Sequence, residues 1–237
     1  MRIETAVGPV TVKKLAELSS ASKDFSEVVL VWDGRKLSVS QITKIRPIGV
    51  EQLFMVRLDD DQEVFASASS RFVTRAGDFK TAPELRIDDS LLPLYLGSDS
   101  HGYSTYRIPG RAAKRKLSRL MAEWKLGHAL EKGTYVGHID GNRKNHHPNN
   151  LKITVNKDKS TKLRCKHKLV TAINSGQTLL DECAAASPSM AKIVGRKSKG
   201  NHKVIGVEPG TLAEVYTASV RSGGFLSVSG VFLELPS

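Results

Sequence analysis

Cysteine is almost missing from this 237-residue chain. Cys165 and Cys183 are its two thiols, and neither stands in a C-x-x-C spacing. That argues against a disulfide framework and against zinc at these positions, and for free thiols in a reducing cytosol. Long apolar runs are missing as well. None approaches the ~18 residues of a membrane span, and the first twenty residues lack the apolar stretch of a secretory signal. A cytoplasmic protein is expected. Acidic residues are scarce in one region only. From His101 to Lys203 there are 22 Lys/Arg against 6 Asp/Glu, which leaves 14 of the 36 basic and 18 of the 24 acidic residues to the two flanks.

The formal net charge of +12 and the pI near 9.7 therefore belong to the middle of the chain. Such a block suits a phosphate backbone, because each neutralised phosphate releases condensed counterions. A solvated basic face is the bland alternative. A membrane surface is disfavoured, since the cations are not paired with an apolar helical face bearing Trp and Phe.

Three regions separate by pattern. Residues 1–95 read as short strands with Gly/Asp turns at about ten-residue spacing: Val28–Trp32, Asp33-Gly34, Lys36–Val39, Leu53–Leu58, Asp59–Asp61 and Glu63–Ala66. Val10–Leu18 reads as a strand running into a short helix. The middle region opens with a strand at Tyr103–Ile108. A helix over residues 112–126 follows, with Leu117, Leu120, Met121 and Trp124 on one face. Residues 174–201 read as a basic linker around one short helix, and from His202 the strand pattern returns. The expected fold class is α+β: residues 1–95 and 202–237 form one all-β domain, into which an α/β unit at 96–173 is inserted.

Residues 135–151 read YVGHIDGNRKNHHPNNL, with His138 twelve residues before Asn150, an Asp-Gly-Asn turn between them and a Leu-Lys-Ile-Thr-Val strand after. This string resembles the core of the HNH (ββα-metal) homing endonucleases, and the likeness extends from Tyr103 to about Lys168. The resemblance implies His138 as general base, Asn150 as the residue that pins the loop, a helix from Lys157 to about Ile173 capped by Asn156, and Mg2+ or another divalent cation at the scissile phosphate. The string departs from that family where the metal would bind. Gly137 stands where a ligand precedes the base. Lys159 and Leu163 stand where the helical ligand is expected, and Ser118-Arg119-Leu120 where a His precedes Arg-Leu. The metal ligands are therefore unassigned, with Asp158, His146 or His147 as substitutes if the register shifts; His146 and His147 read first as turn residues or phosphate contacts.

The flanks are similar to inteins, whose Hint-fold β domain often carries an inserted endonuclease. Glu4–Leu15, residues 63–94, Glu214–Val220 and Phe225–Leu233 carry the likeness. Splicing chemistry is expected to be absent: Met1-Arg2, Ser67-x-x-Ser70 and Glu234-Leu235 occupy the places of its nucleophile, its Thr-x-x-His pair and its terminal Asn. Ser67 and Ser70 read as plain surface serines in a turn.

The leading expectation is a DNA-binding protein derived from an HNH homing endonuclease, from a bacterial or phage-infected cell, with cleavage through His138 weak or retained. The alternative is a catalytically inactive, sequence-selective DNA binder. A third reading is a virion or host-interaction module with no DNA function. For the first two the partner is double-stranded DNA, with no membrane and no small-molecule substrate. The phosphate contacts would come from Lys114, Arg115, Lys116, Arg119, Arg143, Lys144, Lys157, Lys159, Lys162, Arg164, Lys166 and Lys168.

Overall fold

Alternating residues at the N-terminus give way to a helical period, and the chain bends accordingly. Strand β1 (Arg2–Thr5) pairs with β2 (Gly8–Thr11), and Thr11 then caps helix α1 (Val12–Ala21) by accepting the Lys14 N–H at 3.3 Å. The helix buries Val12, Leu15 and Ala16. Next, β3 (Glu27–Trp32) reverses at Asp33-Gly34, where Asp33 Oδ1 accepts the N–H groups of Arg35 and Lys36, each at 2.9 Å. The computed structural model describes residues 1–108, 114–155 and 202–236.

The segments at 36–39 and 53–58, read separately in the sequence, belong to one bent strand, β4 (Leu37–Leu58). Its first half pairs with β3, its second half with β5 (Glu63–Ser67), and nearly its whole length with β13 (Val204–Val220). Register shifts along the β4–β13 ribbon let it curl. The remaining strands are β6 (Arg71–Val73), β7 (Phe79–Thr81), β14 (Phe225–Val228) and β15 (Val231–Glu234). Hydrogen bonding orders the sheet β13-β4-β3-β1-β14-β15-β6-β7, with β2 on β1 and β5 on β4. Both ends of the chain thus lie in one ten-stranded sheet.

The middle of the chain adds a three-stranded sheet of β8 (Tyr95–Ser98), β9 (Ser104–Arg107) and β10 (Arg115–Lys116), then helix α2 (Leu117–Leu126), then a hairpin of β11 (Thr134–His138) and β12 (Leu151–Val155). Helix α2 starts later than its periodicity predicts, because Arg115 and Lys116 pair with Tyr106 and Thr105 as strand. It ends at Gly127, whose φ of 74° is the left-handed C-cap conformation.

The expected α+β organisation with a ββα-metal insertion is corrected by this architecture. The chain is mostly β, and among the described residues α1 and α2 are its α-helices. Helix α2 precedes the β11–β12 hairpin, and the hairpin does not close a core of its own. Leu151 of β12 and Leu117, Met121 and Ala122 of α2 share one hydrophobic cluster with Val28, Leu30, Val39 and Phe232 of the large sheet and with Ala6 of the β1–β2 turn. The His146 N–H donates to the Ala6 carbonyl at 2.9 Å, tying the hairpin loop to the β1–β2 turn. Apolar positions assigned to an inserted unit instead complete a core shared with the frame. The helix expected over 157–173 and the linker at 174–201 lie outside the described residues.

Candidate nucleic-acid interface

The loop between β11 and β12 is held by its own amides. Asn150 Oδ1 accepts the Asp140 N–H at 3.0 Å, while its Nδ2 donates to Asp140 Oδ1 at 2.8 Å and to the Asn145 carbonyl at 2.9 Å. Asp140 also accepts from the Asn142 N–H and from Asn145 Nδ2, both at 2.8 Å. These bonds, the Asn150 side chain first, hold the Asp140 carboxyl below the usual carboxylate range. Gly141 supplies the positive φ of 73° that the turn needs.

This loop sets two imidazoles against each other. His138, the last residue of β11, is half-buried, and its Nε2 lies 3.2 Å from Nδ1 of His146. His146 is a loop residue, as expected, but it is 3% exposed, which corrects its reading as a phosphate contact: it is a wall of the site. Burial, with the His138 charge added, pushes its pKa down to about 4, so it is neutral at physiological pH. Burial also lowers the pKa of His138, with the Arg143 charge helping and Asp140 opposing.

His146 Nε2 is buried and has no hydrogen-bond partner among the described residues. A buried bare acceptor is tolerated better than an orphaned N–H. The proton of His146 therefore belongs on Nδ1, where it donates to His138 Nε2. That assignment takes up the His138 lone pair a general base would use, and leaves His138 Nδ1–H as a donor.

An aromatic ring carrying two cations stands beside the imidazole. The Tyr103 ring lies 6.1 Å from that of His138, with Lys116 Nζ 3.9 Å and Arg143 Cζ 4.8 Å from the Tyr103 centroid. Arg143 Nη1 donates to the His101 carbonyl, which leaves the rest of its five-donor fork available. Asp99 builds the facing turn: its Oδ1 accepts the N–H groups of His101 and Tyr103 at 2.9 Å, and its Oδ2 lies 3.6 Å from Lys116 Nζ. Neither Tyr103 nor Asp99 was among the sequence candidates. The signal that was there is the Asp-Ser-His-Gly-Tyr run, an Asx-turn composition.

The other candidates divide. Lys114, Arg115, Lys116, Arg143 and Lys144 are exposed. Arg119 is half-buried and tied down by its neighbours. It pairs with Glu123 at 3.0 Å and donates to the carbonyls of Leu130, Glu131 and Thr134, fastening α2 to the approach to β11. Lys157, Lys159, Lys162, Arg164, Lys166 and Lys168 lie outside the described residues. His147 accepts the Asn149 N–H at 3.3 Å and starts a short 3-10 turn at Pro148–Asn150. Ser67 and Ser70 are buried, not surface serines: they are 3% and 1% exposed, with their hydroxyls 2.9 Å apart.

A hard divalent cation needs converging oxygen ligands. Among the described residues no group of three His, Cys, Asp or Glu side chains converges on one point. Both Asp140 oxygens are engaged by amides, and Gly137 offers no side chain. The described residues do not fit a metal here.

No protein-family model matches the chain. In sequence it is 27% identical over 194 residues to the DNA gyrase B polypeptide of Synechocystis sp. (strain ATCC 27184 / PCC 6803 / Kazusa), a match covering 65% of this chain and 18% of that protein. The chain thus spans less than a fifth of that relative's length. Among solved structures it is similar to a DnaB intein from Synechocystis sp. PCC 6803, with TM-score 0.47 and 10% identity over 100% of this chain and 94% of that one. A mutant of the Ssp DnaB mini-intein gives TM-score 0.47 and 12% identity over 100% and 95% of the two chains. The fold described above rests on its own strand pairings, not on these superpositions. Among the described residues no helix is long and apolar enough to cross a membrane.

Proposed function

We propose that this chain is a double-stranded-DNA-binding protein on an intein-like Hint frame, which holds the sugar–phosphate backbone at the His138 ledge without cutting it. One observation carries the reading: the His138 imidazole, backed by a buried second imidazole, stands beside an aromatic ring that bears two cations. Arg143, Lys144 and Lys116 supply positive charge, and His138 Nδ1–H supplies a directed donor to a phosphate oxygen. Cleavage needs a free basic nitrogen and a cation to stabilise the departing oxygen. Here the nitrogen is engaged by His146, and the described side chains do not fit the cation.

Incubating the protein with plasmid DNA and with a labelled duplex tests both halves. The expected result is retarded duplex and intact plasmid, with Mg2+ or Mn2+ present or absent. Divalent-dependent nicking that disappears in His138→Ala would restore the nuclease reading. Failure to retard duplex at low salt would end the binding reading.

A further inference from the structure

On the far side of β10 from His138, the chain's two tryptophans line a single cavity of about 450 Å3. Adjacent strand residues point to opposite faces, so Lys116 covers Tyr103 at the His138 ledge while Arg115 lines the cavity. Trp32 enters from the end of β3, backed by Phe232 at 5.8 Å between ring centroids, and Trp124 enters from α2. The volume lies within the ~300–1,000 Å3 of sites that hold small organic groups.

Four cations line the same cavity: Arg35 and Lys36 from the β3–β4 turn, Arg107 from β9, and Arg115. Among the described residues none of the four is in an ion pair. The one carboxylate in the lining, Glu123, is held by Arg119 at 3.0 Å and by the Leu130 N–H at 3.3 Å. Two indoles beside four cations that lack an ion-pair partner, one of which (Arg107) lies over the Tyr95 ring at 5.0 Å, call for a ligand with a flat π-face and more than one anionic group. An apolar peptide would leave the cations unmatched, and a lipid headgroup would leave the indoles without a flat partner.

We propose that this cavity takes an unpaired nucleotide of a single-stranded nucleic-acid segment. The base stacks on the indoles, and neighbouring phosphates meet Arg35, Lys36, Arg107 and Arg115. The inference goes beyond the duplex reading and does not rest on it.

Intrinsic tryptophan fluorescence reads this cavity alone, because no other tryptophan exists in the chain. Titrating the full chain with a short oligothymidylate at low salt is expected to quench the signal saturably, and adding salt is expected to reverse it. Trp124→Leu is expected to weaken binding of the strand about 5- to 150-fold by the usual worth of one stacked base, and Trp124→Phe to retain most of the affinity. Arg35→Ala combined with Arg107→Ala is expected to weaken it as well, while Arg143→Ala leaves the titration unchanged. No quenching, equal affinity in all variants, or quenching by free thymidine monophosphate as strong as by the oligomer would each overturn the proposal. Loss of duplex binding with this quenching intact sinks only the duplex reading. Parallel loss of both in Arg143→Ala would show a shared site and overturn this one.

Discussion

Asn150 and His146 show how single side chains fix the ledge. Asn150→Ala removes the side-chain partner of the Asp140 N–H and the Asn145 carbonyl, which is expected to cost about 0.5–1.5 kcal/mol in urea unfolding, since water reaches the exposed N–H. Asn150→Asp is expected to destabilise at least as much at neutral pH, because it places a second carboxylate against Asp140. His146 sets a pH dependence. Its folded pKa of about 4 lies below the ordinary ~6.5, so between these values the unfolded chain binds the extra proton. Stability is therefore full above about pH 6.5 and falls as pH drops toward 4, by up to about 3 kcal/mol. The lowered carboxyls of Asp89, Asp99 and Asp140 act further to the acid side. Denaturant midpoints from pH 7 to 4.5 check this, and His146→Leu is expected to flatten that limb. The motif string made Asn150 and His138 visible as candidates. It could not show that His146 is buried, because the residues that cover a loop histidine are far away in the chain.

Helix α2 is the element that joins the ledge to the frame. Met121 is fully buried in the cluster shared with the large sheet, so Met121→Ala is expected to cost about 2–5 kcal/mol. Arg119→Lys is also expected to destabilise, because an ammonium cannot reproduce a fork that serves Glu123 and three carbonyls together. The same variant is expected to leave duplex affinity of the folded protein unchanged in anisotropy titrations; a loss of affinity at equal foldedness would make Arg119 a phosphate contact after all. The apolar stripe Leu117, Leu120, Met121 and Trp124 was legible as a helix. Its start was not, since pairing of Arg115 with Tyr106 overrides local propensity. The long strand β4 was read as fragments for a similar reason: β13 lies beside the stretch that joins them, across a separation no local pattern encodes.

The molecule as a whole joins an acidic-to-neutral frame to a basic middle. Composition alone exposed that division, and the strand signals at the two ends come together in one sheet. The shared core was not legible, because apolar residues meant for an inserted unit and for a docking face look alike in sequence. The functional account depends on the basic middle meeting phosphates at the ledge. The direct measurement is duplex affinity against salt, by fluorescence anisotropy, for the native chain and Arg143→Ala. The account predicts a linear fall of log affinity with log salt, with Arg143→Ala weakening binding to all sequences and flattening the slope by about 1. Affinity indifferent to salt, or an Arg143→Ala slope equal to the native one, would contradict it.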